Sequence, residues 1–61
     1  MQAFLAATTF KYELFGITDR GDIWRVWFDG NQPIMQLLCY PFPDEYWSVV
    51  KLLRAKMDLY K

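Results

Sequence analysis

Few residues in this chain can do covalent or acid-base chemistry. Its 61 residues include one cysteine, Cys39, and no histidine. General acid-base work needs a titratable group and a positioned partner. The closest carboxylates, Asp44 and Glu45, are adjacent in sequence, and adjacent side chains on a helix do not face each other. A shared proton or a metal clasp is not expected there. Ser48 has no base within its sequence context, and nothing near Cys39 would depress a thiol pKa, so a nucleophile lacks its second member. With no histidine, no second thiol and no acidic loop of calcium-binding spacing, no metal site is expected. The three isolated glycines make no phosphate cradle. These residue types point away from an enzyme and away from a cofactor.

What remains is the chemistry of contact. Twelve of the 61 residues are aromatic, and the densest group lies in Ile23-Trp24-Arg25-Val26-Trp27-Phe28. Such β-branched and aromatic residues suit a pleated strand, and Arg20-Gly21 before it and Asp29-Gly30 after it suit tight turns. Alternation sends Ile23 and Trp27 to one side with Arg25, and Trp24, Val26 and Phe28 to the other. Both faces are apolar, so one is expected to be left for a partner. Trp and Arg are enriched at interface hot spots, which nominates Trp24, Arg25, Trp27 and the helical Trp47 as partner-binding residues. The competing use of the same rings is stacking of single-stranded nucleic acid. That use needs several cations along a groove, and Glu13, Asp19, Asp22 and Asp29 offset the few basic residues near this strand. Arg20-Gly21-Asp22 spells an adhesion tripeptide, but three residues at a turn are explained by the turn itself.

The elements that must position these side chains follow from the punctuation at Gly16 to Gly21, Asp29 to Pro33, and Pro41 to Pro43. Phe4 to Ile17 reads as one long or bulged strand, the aromatic segment as a second, and Ile34 to Tyr40 as a third. Pro41 and Pro43 end the sheet. A helix is expected from Pro43 onward, with Asp44 and Glu45 in its first turn. Tyr46, Val49, Val50, Leu53, Met57 and Tyr60 form its apolar stripe, while Trp47 falls on its charged side. Leu52 and Leu59 fall on a second, narrower stripe with Ser48 and Ala55, nominated for self-association. The expected fold is α+β: a three-stranded antiparallel meander followed by one C-terminal helix. The alternative is a small barrel of bent strands capped by the helix.

Size and charge bound the rest. The chain is one small domain at most, residues 1–61, and a body this small buries only about 60% of the surface its unfolded chain exposes. Seven Lys plus Arg balance seven Asp plus Glu, so no overall field favours nucleic acid or an anionic membrane. Residues before Ser48 hold three basic and six acidic groups, and those from Ser48 onward four basic and one acidic, a split that complements a helix dipole. The lone Cys39 suits a reducing, cytoplasmic setting as a small buried hydrophobe. The short apolar run at Met1 to Ala7 lacks a basic lead-in and is too short to span a bilayer. The expected function is a non-enzymatic protein-binding module, an accessory subunit or small inhibitor of a larger protein, alone or as a homodimer. Compact inhibitors of this size have precedent among viral and mobile-element products.

Overall fold

The computed structural model describes residues 4–60. Four antiparallel strands form one open sheet: β1 (Ala6–Phe10), β2 (Glu13–Ile17), β3 (Ile23–Asp29) and β4 (Gln32–Leu37), in the order β1-β2-β3-β4. A 3-10 turn (Asp44–Tyr46) leads into α1 (Trp47–Asp58). The architecture is α+β, with four strands where the sequence suggests three and no closed barrel.

The extra strand comes from a hairpin that residue types do not announce. Lys11 and Tyr12 take φ values of 48° and 67°, and Phe10 pairs with Glu13 across them. Positive φ at both central positions is the signature of a type I′ turn, which usually recruits Asn and Gly. Lys and Tyr do it at a cost, because a side chain in the left-handed region crowds its own carbonyl by roughly 1 kcal/mol or more. Lys11→Asn combined with Tyr12→Gly is therefore expected to stabilise the fold by about 0.5–1 kcal/mol net of Gly's greater unfolded freedom. A thermal melt checks it: the midpoint should rise by a few degrees. The Lys11–Glu45 ion pair lost in the process, 3.7 Å with both groups well exposed, is worth little.

The other two turns match the punctuation. Gly30, with φ of 64°, supplies the positive dihedral of the β3–β4 hairpin. Between β2 and β3, buried Thr18 organises the loop. Its Oγ1 accepts from the backbone N–H of Arg20 at 3.3 Å and of Asp22 at 3.2 Å, and Gly21 turns the chain at φ 89°. The tripeptide Arg20-Gly21-Asp22 is thus accounted for by a loop that needs its glycine.

The core is Phe15, Ile17 and Ile23 from the sheet against Val49, Val50 and Leu53 from α1. Ala6, Phe10, Leu38, Phe42, Tyr46, Trp47 and Met57 close around it. The main helical stripe faces the core as its spacing suggests, except that Tyr60 lies beyond the end of α1 and is exposed. Trp47 does lie in line with Lys51 and Arg54 on the helix, but that side is covered at its start by Phe42, which Arg54 also overlies at 5.7 Å. The helix begins after a 3-10 turn, and Trp47 packs edge-on against Phe42, ring centroids 5.5 Å apart. Cys39 is exposed, not buried, because strand pairing ends at Leu37 and the chain leaves the sheet before reaching it.

Candidate functional site

The helix is narrower than the sheet. It packs chiefly on β1 and β2, and its C-terminal half is fastened there by Lys56 Nζ, which donates to the Ala7 carbonyl at 3.2 Å. Leu38, whose N–H donates to the Ile23 carbonyl at 2.9 Å, and Phe42 pack against the core cluster to which Ile23 belongs. Among the described residues, α1 makes no comparable packing on the outer half of the β3–β4 hairpin.

Strand register assigns side chains to those faces. Phe15 pairs with Arg25 and Arg25 with Gln36, while Trp27 pairs with Ile34, so Arg25, Trp27, Ile34 and Gln36 share the helix side of the sheet but lie past the helix. Leu14 pairs with Val26 and Val26 with Met35; Gly16 pairs with Trp24 and Trp24 with Leu37. These residues, with Phe28 and Pro33, line the opposite face.

On the helix side, Arg25 is held from three directions. Its guanidinium stacks on the Trp27 ring at 4.0 Å from the centroid. Its Nε and Nη2 donate to the two Glu13 carboxylate oxygens at 2.7 and 2.5 Å, and its Nη1 donates to Gln36 Oε1 at 3.2 Å. Bidentate geometry of this kind is the strong form of an arginine-carboxylate contact. A planar cation fixed over an indole costs less entropy to bind than a free arginine does. The pair is half-buried, leaving ring and guanidinium edges at the surface.

The hydrogen bonds from Arg25 hold the Glu13 carboxyl below its usual value near 4.5, with the positive charge adding to the effect and partial burial opposing it. A depressed carboxylate pKa stabilises the fold above the unfolded value and loses that contribution as pH falls through the folded one. Chemical denaturation from pH 7 to 3 should show this contribution waning below about pH 4.5. Glu13→Gln should flatten that segment, and an unchanged slope would show the pair to be energetically silent.

The four sequence-nominated contact residues are thus divided. Arg25 and Trp27 form one unit, Trp24 lies on the opposite face, and Trp47 belongs to the packing around Phe42. Leu52 and Leu59 are exposed on the outer side of α1 and beyond its end. Glu13 was not among the nominated residues, although it fixes Arg25. The signal that finds it is the β1–β2 hairpin: once that turn is placed, Glu13 starts β2 diagonally across from Arg25.

Among the described residues no group of three or more His, Cys, Asp or Glu side chains could hold a metal ion, and no helix is long and apolar enough to cross a membrane. Comparison with known proteins finds no match for this chain among family models, curated proteins or solved structures.

Proposed function

We propose that this chain is a non-enzymatic protein-binding module, an accessory subunit or small inhibitor that docks on a larger protein through the Arg25–Trp27 platform. The observation that carries the reading is the mismatch of layers: α1 packs chiefly on β1 and β2, and the rings and guanidinium of the uncovered β3–β4 half are held in place without it. An Arg stacked on a Trp and locked by a carboxylate is a preorganised version of the residue set that dominates binding energy at interfaces. Single-stranded nucleic acid fits this platform less well. A phosphate-tracking groove needs free cations, and the Arg25 charge is already neutralised by Glu13.

The test is site-specific photo-crosslinking in the native cell extract from Gln36, the exposed residue beside Arg25. A discrete adduct with one larger protein is expected, and it should vanish with Trp27→Ala while the far-ultraviolet circular dichroism of the variant stays unchanged. No adduct, or one indifferent to Trp27, would overturn the assignment.

A further inference from the structure

We infer that the face opposite the helix is the seat of a second copy of this chain, giving a two-fold dimer in which two sheets stack face to face. This goes beyond the docking of a larger protein, because it uses the other side of β3. The face has three properties that select this occupant.

First, it carries no charge. Register places Leu14, Trp24, Val26, Phe28, Met35 and Leu37 there, while the ionisable side chains of the central strands, Glu13, Arg25 and Asp29, fall on the helix side. A two-fold interface sets this patch against itself, so a charge near the axis would meet its like, and the strand positions of this face hold none. A partner recognised by electrostatic complementarity would have nothing on this face to read.

Second, the face is bare where it could be covered from within. Among the described residues one side chain plugs it: the Phe4 ring lies over Gly16 so closely that a Cβ at Gly16 would fall inside it. Past that plug, Leu14, Met35 and Leu37 are 37–41% exposed and Phe28 is 67% exposed. α1 is committed to the other side of the sheet.

Third, the dimensions fit. Three strands about 4.8 Å apart and five residues long at about 3.3 Å each make a footprint of roughly 14 by 17 Å. Twisted sheets pack face to face with strands about 30° apart, interleaving such side chains. Allowing for side-chain relief, on the order of 400 Å² of accessible surface per copy would be covered, near a tenth of the 4625 Å² total. That share is ordinary for a specific interface, while the absolute area is small, so a dimer that dissociates on dilution through the micromolar range is expected.

The experiment is sedimentation equilibrium of the purified chain over a hundredfold concentration range, on wild type, Met35→Lys and Leu52→Lys. Wild type should move from 7.3 kDa towards twice that mass as concentration rises. Met35→Lys should stay at 7.3 kDa with its circular dichroism unchanged, and Leu52→Lys should behave as wild type. Isotope-filtered NOEs between labelled and unlabelled wild-type copies need no variant: the Met35 methyl should see Val26, Met35 or Leu37 of the other copy. A wild type that remains monomeric at millimolar concentration overturns the proposal, as does a dimer broken by Leu52→Lys but not by Met35→Lys, which would place self-association on the helix. Either result leaves the Gln36 crosslink free to succeed, so a failure here is separable from a failure of the Arg25–Trp27 reading.

Discussion

Phe15→Ala is expected to leave the protein largely unfolded. Phe15 is wholly buried on β2, and its ring meets Phe10 at 6.2 Å and Tyr46 at 5.1 Å between centroids. Those contacts join the β1–β2 hairpin to the 3-10 turn that starts the helical segment, so one ring links sheet and helix. Truncating a buried Phe typically costs about 3–5 kcal/mol, the transfer term plus the cavity left behind. A chain of 61 residues at roughly 0.05–0.15 kcal/mol per residue has about 3–9 kcal/mol in total. Urea denaturation followed by circular dichroism and tryptophan fluorescence should show a midpoint shifted to near zero denaturant. A loss below about 1 kcal/mol would show that Phe10 and Tyr46 collapse into the space, and that the cluster is far softer than its geometry suggests.

Leu53→Ala should rank second, at about 2–5 kcal/mol, and its neighbour gives the control. Leu53 is fully buried between α1 and the sheet, while Leu52 is 45% exposed on the outer side of the same helix. The two substitutions delete the same atoms one residue apart. Leu52→Ala should stay within about 0.5 kcal/mol of wild type, as surface changes do. Equal losses at both sites would mean that the helix is rotated by about half of the 100° that separates successive residues, so that both leucines flank the core.

Much of this fold is legible from residue types, for reasons that differ by element. β3 is readable because β-branched and aromatic residues alternate between two glycine-marked turns, and the structure places Ile23, Arg25 and Trp27 on one side as that alternation requires. The helix is readable because Val49, Val50, Leu53 and Met57 recur at helical spacing. The β1–β2 turn is not. Nothing in Phe10-Lys11-Tyr12-Glu13 advertises a left-handed backbone, and the alternation through Phe10, Tyr12 and Leu14 imitates an unbroken strand. In the hairpin, Phe10 and Leu14 fall on opposite faces instead.

The platform was legible in part. Arg25 and Trp27 share a face by parity alone, so their proximity follows from any strand assignment. The grip of Glu13 does not, since it depends on the missed turn. Trp24 and Trp47 have the same residue type as Trp27 and different surroundings: one lies across the sheet and the other is packed on Phe42. Side-chain type nominates a contact residue, and only the layer above it determines whether it is open to solvent.

The strand order β1-β2-β3-β4 also governs how quickly this architecture can assemble. Every strand pairs with its sequence neighbour through a loop of five residues or fewer, so the sheet needs only short loop closures. The one distant closure brings α1 back to β1, with Lys56 reaching Ala7 across 49 positions of chain. Rates of two-state folding fall as contacts become less local. The hairpins can therefore form and dissolve on the microsecond scale typical of such units, while the docking of α1 across that long span sets the barrier. Substitutions in the hairpins, whose contacts are made before α1 docks, should therefore slow folding, while contacts of the α1–sheet seam completed after the barrier should act mainly on unfolding rates.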